Sequence, residues 1–126
     1  FGIYSYPNVH QMISTISGRL NKNISFSAII DATFPMGSMT GAPKHRVMQL
    51  IDEYETVPRG IFSGSVGYIK PNGDFDFNVV IRSIFYNADA RYVSTWAGSA
   101  ITINADPEKE YDECMLKLEA MMKALS

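Results

Sequence analysis

The turn at 71–74, with the sequence Pro-Asn-Gly-Asp, is the feature that most constrains the fold of this 126-residue chain. Strand-like segments lie on both sides of it, at 60–70 and 75–86. Because Asn-Gly tolerates positive φ angles, we expect a type I′ hairpin joining two antiparallel strands. A second turn at 87–90 and a third strand at 91–103 continue the pattern. The chain is therefore predicted to contain an antiparallel sheet of three or four strands.

The N-terminal part of the chain carries one predicted strand and one predicted helix. Residues 9–16 are rich in β-branched side chains and predict a strand. Residues 25–34 carry apolar side chains at helical spacing, with Asn23 or Ser25 as the N-cap. Pro35 then ends the helix, because proline cannot continue it.

Two further helices are predicted. One has Pro43 in its first turn, where the missing N–H costs nothing. The other runs from 106 to about 125, because Asp106, Pro107 and Glu108 supply an N-cap, an N1 proline and an acidic first turn. Its predicted buried stripe is Tyr111, Cys114, Met115, Leu118, Met121, Met122 and Leu125. The expected class is α+β, an antiparallel sheet packed with helices.

Composition excludes several classes of protein. Eleven Lys and Arg against thirteen Asp and Glu give a net charge of −2, which argues against a broadly basic nucleic-acid binder. The single cysteine, Cys114, excludes an internal disulfide framework and a Cys-rich zinc site. No apolar run reaches the ~20 residues of a membrane span, so we expect a cytoplasmic protein without membrane contact. The chain opens on Phe1, which suggests a fragment of a longer polypeptide.

The last predicted helix places Glu110, Glu113 and Lys117 on one edge of its apolar face, at positions i, i+3 and i+7. One interpretation is a solvated flank supported by an i,i+4 Glu–Lys pair. The other is a site for a hard cation, since carboxylates suit Mg²⁺ and this ion often takes further ligands from water and substrate.

Arg82 lies among β-branched residues in the predicted strand at 75–86, on the face opposite the apolar positions. It either covers the sheet with its aliphatic stem or clamps a carboxylate with its two-pronged guanidinium. Small residues at 63–67 and 97–100 either allow close packing of a helix or expose backbone N–H groups to a ligand.

The loop at 37–44 precedes a helix and ends in Lys44. It either caps that helix or offers an anion the unpaired N–H groups of its N-terminus. The spacing to Lys44 does not fit a Walker P-loop.

Taken in order, these segments resemble the family of chorismate-utilising enzymes. The hallmark is Phe-Pro-Met-Gly-Ser-Met-Thr-Gly-Ala-Pro-Lys at 34–44, and the resemblance extends over essentially the whole chain. The other matching segments are 46–53, 59–68, 76–82, 97–98 and 110–114. The family fold is an α/β sandwich of two similar halves, of the anthranilate synthase component I type, and residues 1–126 resemble its C-terminal half.

The resemblance also implies a metal site. Glu113 matches a direct Mg²⁺ ligand and Glu110 matches a ligand that acts mostly through water. The ion would meet the ring carboxylate of chorismate.

Five further residues match substrate-binding positions of the family. Arg82, with the backbone at Gly98, matches the group that grips the enolpyruvyl carboxylate. Lys117 matches a position near the substrate carboxylates and Thr40 one near the ring carboxylate. Phe62 stands at the aromatic wall.

Within the family the sequence motifs are most similar to those of the aminodeoxychorismate synthases, with the anthranilate synthases as the alternative. Thr40 favours the former, because the latter more often have Ser there. The implied reaction converts chorismate and ammonia from a glutamine amidotransferase into 4-amino-4-deoxychorismate, towards 4-aminobenzoate and folate. An alternative of another class is a non-catalytic α+β interaction module, which would leave the candidate site residues scattered.

The chain departs from the family pattern at three places. Relatives commonly have His where Gln11 stands, and the neighbouring His10 could replace it only in part. Ala100 stands at the second glycine of a Gly-x-Gly. The nucleophilic Lys and the glutamates of the other half would lie upstream of Phe1, so the 126-residue chain is expected to be inactive by itself.

Overall fold

The computed structural model describes residues 2–7 and 9–126. These residues form an α+β arrangement, as the sequence predicts. They divide into two compact units, the first ending at Met36 and the second being Gly37–Ser126.

The first unit contains a β-hairpin and a short helix. Strand β1 (Gly2–Tyr6) pairs antiparallel with β2 (Val9–Ile13). The prediction of a strand from residue 9 is confirmed, although it ends earlier than expected, and β1 was not predicted. Helix α1 (Phe26–Thr33) begins where the Ser25 hydroxyl accepts a hydrogen bond from the Ala28 N–H at 3.2 Å, so Ser25 is the N-cap.

The second unit holds two helices and four strands. Its helices are α2 (Lys44–Tyr54) and α3 (Pro107–Leu125). Its strands are β3 (Ser65–Ile69), β4 (Phe75–Val79), β5 (Ile84–Asn87) and β6 (Tyr92–Thr95). The pairs β3–β4 and β5–β6 are antiparallel. Within the described ranges the strands form three separate two-stranded sheets, so the prediction of one larger sheet was wrong.

The β3–β4 hairpin is confirmed, but its turn differs from the predicted type I′. The register pairs Ile69 with Phe75, and the Lys70 N–H donates to the Asp74 carbonyl at 2.7 Å. The loop therefore has three residues, and of these only Gly73 has a positive φ, at 90°. A proline in the loop fixes φ near −65°, which favours a type I turn followed by a left-handed glycine.

Gly67 of β3 is required by close packing across the hairpin. A Cβ at this position would lie 2.1 Å from the Asp76 carbonyl oxygen and 2.6 Å from the Phe77 ring. This small residue therefore accommodates its own partner strand, which is neither the packed helix nor the ligand that the sequence suggested.

The predicted long strands are interrupted by left-handed residues. Ser63 has φ 66° and Arg82 has φ 51°, and neither lies in a strand. The predicted strand at 75–86 is consequently split into β4 and β5. Likewise, residues 60–63 form a turn before β3, and β6 ends at Thr95, well before residue 103. Strand propensity does not report such local bends.

The apolar core of the second unit is small. Its buried apolar side chains are Phe62, Val80 and Met121, with the hydroxyl residue Ser63 beside them. Along α3 only Met121 is buried, so the predicted wide buried stripe is largely uncovered. An open apolar groove lies between β6 and α3. None of the helices in the described ranges has both the length and the apolar character that crossing a membrane requires.

Candidate functional site

Helix α3 positions the acidic and basic side chains singled out in the sequence. Asp106 caps the helix by accepting from the Lys109 N–H at 3.1 Å, which fixes where its helical register begins. One turn apart, Lys117 Nζ and Glu113 Oε1 form an ion pair at 2.5 Å. The same ammonium donates to the Gly98 carbonyl at 2.9 Å. Lys117 thus ties α3 to the segment after β6.

Ser99 lies beside the carboxylates of α3. Its hydroxyl donates to Glu110 Oε2. The pKa of Glu113 lies below its usual range, chiefly because of the hydrogen bond and charge of Lys117, with a smaller contribution from Ser99. Glu110, Glu113 and Ser99 therefore form one polar cluster with Lys117.

An aromatic surface adjoins this cluster. The Phe62 ring is buried and stacks on Trp96 with 6.2 Å between ring centroids and 22° between planes. A Cβ at Gly98 would lie 3.8 Å from the Phe62 ring, in ordinary van der Waals contact. Gly98 itself is exposed. The Phe62 ring therefore lies near Gly98, whose carbonyl is bound by Lys117.

Thr40 lies half-buried in the loop before α2 and is linked to the aromatic surface through Arg59. Arg59 Nη1 donates to the carbonyl of Met39 at 2.7 Å and to Ser63 Oγ at 3.2 Å. The α2 N-cap is Pro43, which lies just before the first helical turn and not within it as predicted, and it makes no side-chain capping bond.

Arg82 is placed at a bend and is not joined to the cluster. It follows Val80, whose backbone pairs with Ser63 at 3.0 Å and with Gly64 at 2.9 Å. The Arg82 side chain is exposed, and no hydrogen bond or ion pair links it to residues 2–7 or 9–126. Its predicted place on the face of a continuous strand was wrong, because its positive φ breaks that strand.

The departure from the family pattern at Gln11, with its neighbour His10, lies in the first unit. Ser5 pairs with His10 across the β1–β2 hairpin, and His10 Nδ1 lies 2.9 Å from Ser5 Oγ. Gln11 Nε2 donates to its neighbour's carbonyl, that of Met12, at 3.4 Å. Both side chains are exposed.

The donor set on α3 is compatible with Mg²⁺. Within the described part of the chain, no three His, Cys, Asp or Glu side chains group to hold an ion by themselves. Glu110 and Glu113 nevertheless stand three residues apart on α3, which places their carboxylates on one edge of the helix, and Ser99 donates to the first of them. Mg²⁺ is commonly held by one or two carboxylates and completes its shell with water and substrate oxygens.

Two residues of this region were not predicted from the sequence, namely Ser99 and Arg59. Ser99 was read only as one of several small residues. Arg59 stands four residues after Glu55, but the helix ends at Tyr54, so the helical i,i+4 rule gave no signal for this ion pair. Its bonds to Met39 and Ser63 depend on tertiary structure and had no sequence signal.

Comparison with known proteins gives a consistent result. The model of a family described as chorismate binding enzyme matches residues 1–123. A probable chloroplastic aminodeoxychorismate synthase of Oryza sativa subsp. japonica is 48% identical over 98% of this chain. An aminodeoxychorismate synthase of Streptomyces pristinaespiralis is 42% identical over 99%. Anthranilate synthase component 1 of Acinetobacter calcoaceticus is 37% identical over 98%. The chain spans 14%, 17% and 24% of the lengths of these relatives.

Proposed function

Because this chain belongs to the family of chorismate-binding enzymes, we propose that it forms the C-terminal half of the chorismate-binding domain of an aminodeoxychorismate synthase. Relatives bearing that name are 40–48% identical over nearly all of the chain. Since the chain spans only 13–17% of the length of those synthases, the proposed activity is that of a longer protein. The proposed domain is completed by an upstream half of the sandwich.

The observation that carries this proposal is the contact of Lys117 with both Gly98 and Glu113. It brings a cation, an exposed backbone segment and an acidic pair into one place, beside the aromatic ring of Phe62. Chorismate is a small dicarboxylate with a ring. Binding such a molecule requires cations and N–H donors, because an unpaired buried charge is costly.

Each predicted substrate-binding residue has a proposed role. Lys117 attracts the substrate carboxylates, Phe62 forms the wall against the ring, and Gly98 offers backbone at a point where no side chain intervenes. Thr40 would hydrogen-bond the ring carboxylate from the loop before α2. Arg82 would grip the enolpyruvyl carboxylate, and its exposed guanidinium, which has no partner among residues 2–7 and 9–126, supports that role.

Glu113 and Glu110 are the proposed holders of Mg²⁺. When bound, the ion would act as a Lewis acid that withdraws charge from the ring carboxylate. The chain's own groups prepare this arrangement, because Ser99 donates to the Glu110 carboxylate and Lys117 pairs with that of Glu113.

The proposed co-substrate is ammonia from a glutamine amidotransferase subunit or domain, and the proposed product is 4-amino-4-deoxychorismate. An anthranilate synthase would use the same cluster and release anthranilate instead. Identity is 40–48% to the aminodeoxychorismate synthases and 37–40% to the anthranilate synthases, and the higher values of the first group favour the first product.

Glutamine substitution of Glu113 in the complete synthase tests the proposal. Helix α3 supplies a matched control, because Glu119 forms the same i,i+4 pair with Lys123, at 2.6 Å. We expect Glu113→Gln to lose at least about 90% of Mg²⁺-dependent amination, since changes to metal ligands and to the residues that orient them commonly cost tenfold or more in activity. Glu119→Gln should retain it. Near wild-type rates for Glu113→Gln at low Mg²⁺ would contradict the metal assignment, and anthranilate as the product would overturn the proposed reaction.

A further inference from the structure

Arg59 connects three segments of the second unit through one guanidinium. Nε donates to Glu55 Oε2 at 2.7 Å, and Nη2 pairs with Glu55 Oε1, at the end of α2. Nη1 reaches the Met39 carbonyl at 2.7 Å and Ser63 Oγ at 3.2 Å. The Arg59 carbonyl also accepts from the Phe62 N–H at 3.1 Å. All of these partners belong to Gly37–Ser126.

The ion pair that anchors Arg59 is well formed. Hydrogen bonding to Arg59 lowers the pKa of Glu55, and the same bond raises the pKa of Arg59, so both groups stay charged at neutral pH. The Arg59 side chain is 25% exposed, which reduces its freedom to exchange partners with water. Glu55 thereby holds two nitrogens of the guanidinium, Nε and Nη2. The third, Nη1, donates to the Met39 carbonyl and to Ser63.

The two residues that Arg59 Nη1 binds are each next in sequence to a residue of the proposed site. Met39 immediately precedes Thr40, and Ser63 immediately follows Phe62. Ser63 has φ 66°, a conformation that non-glycine residues adopt at a cost, so its hydroxyl bond to Arg59 helps to keep the turn in place.

We propose that Arg59 is a positioning residue that holds the Thr40 loop and the Phe62 turn in register for substrate binding. It does not touch substrate in this proposal, which rests on the function proposed above. Lysine cannot substitute, because a single ammonium lacks the planar fork that serves a carboxylate, a carbonyl and a hydroxyl together. If Arg59 only stabilised the fold, its replacement would lower the amount of folded protein and leave the KM for chorismate unchanged.

The test compares Arg59→Lys with Arg91→Lys. Arg91 is an exposed arginine of the β5–β6 turn whose side chain makes no hydrogen bond or ion pair to the described residues. In the 126-residue chain, amide NMR signals of Thr40 and Phe62 should both shift in Arg59→Lys and stay in place in Arg91→Lys. Unchanged signals at both residues in Arg59→Lys would overturn the proposal, whether or not the chain serves chorismate chemistry.

Kinetics of the complete synthase provide the second readout. We expect Arg59→Lys to raise the KM for chorismate about tenfold while kcat falls less than about threefold, because the lost charged hydrogen bonds affect substrate placement. A reduced kcat with an unchanged KM would show a merely structural role and overturn the positioning role. If wild-type synthase does not turn over chorismate, the proposed function fails, and the NMR comparison still decides whether Arg59 holds the two segments.

Discussion

At the scale of single residues, the candidate site depends on side chains that each have more than one partner. Lys117 contacts Gly98 and Glu113, and Arg59 contacts Glu55, Met39 and Ser63. Such shared contacts make each group sensitive to its neighbours. Arg82 is the exception, since nothing in residues 2–7 and 9–126 pairs with its guanidinium.

This isolation of Arg82 leads to a prediction that separates binding from stability. Arg82→Lys in the complete synthase should raise the KM for chorismate about tenfold or more, because the lysine ammonium cannot replace the two parallel hydrogen bonds that a guanidinium makes to a carboxylate. The free energy of unfolding of the 126-residue chain, measured in urea, should change by less than about 0.5 kcal/mol. An exposed residue without partners among the described residues contributes little to stability.

Arg91→Lys is the matched control for this experiment. Arg91 is also exposed and also has a left-handed backbone, with φ 49° against 51° for Arg82. It should leave both KM and stability unchanged. An unchanged KM in Arg82→Lys would remove Arg82 from the proposed site.

At the scale of elements, signals confined to neighbouring residues were the ones that predicted structure correctly. Asp106 and Pro107 located the start of α3, and the Pro-Asn-Gly-Asp turn located the β3–β4 hairpin, although its type was wrong. The strand lengths failed because Ser63 and Arg82 adopt left-handed backbone conformations that their residue types do not announce.

The candidate site was predictable to a similar extent. The spacing of Glu110, Glu113 and Lys117 predicted one polar edge of α3, and the structure joins the last two in an ion pair. The contribution of Ser99 depends on how the segment after β6 meets α3. That meeting is a tertiary contact between residues 11 apart, and no period in the sequence encodes it.

The β3–β4 hairpin gives a prediction about stability. Gly67→Ala should lower the free energy of unfolding by about 1–3 kcal/mol, because its Cβ would overlap backbone as well as the Phe77 ring. Gly18→Ala is the control, since a Cβ there has no atom within 4 Å and should cost little. Thermal or urea unfolding of both variants decides the matter. Equal stabilities would mean that the two strands are less closely packed than described.

At the scale of the whole molecule, the described chain buries few apolar side chains. Only Phe62, Val80 and Met121 among its apolar residues are buried, while α3 leaves Met115, Met122 and Leu125 about half exposed. Small cores stabilise a fold weakly. This agrees with the proposal that the chain works as part of a larger domain, as its 14% share of the rice relative suggests.

The 126-residue chain alone should therefore not aminate chorismate. Incubation with chorismate, ammonia and Mg²⁺ should yield no 4-amino-4-deoxychorismate by chromatography, because the proposed nucleophilic lysine and the second half of the sandwich are supplied by the rest of the protein. The complete synthase is the positive control under identical conditions. Measurable product from the chain alone would contradict the proposal that amination requires the rest of the longer protein.

The two contacts of the Lys117 ammonium limit what else it can hold. A protonated amine has three N–H bonds, and Gly98 and Glu113 are its partners within residues 2–7 and 9–126, which leaves one proton to offer. It can therefore bind one additional oxygen without releasing a partner. In the proposed complex only one carboxylate of the dianion accepts this remaining proton, and the other carboxylate requires a different donor.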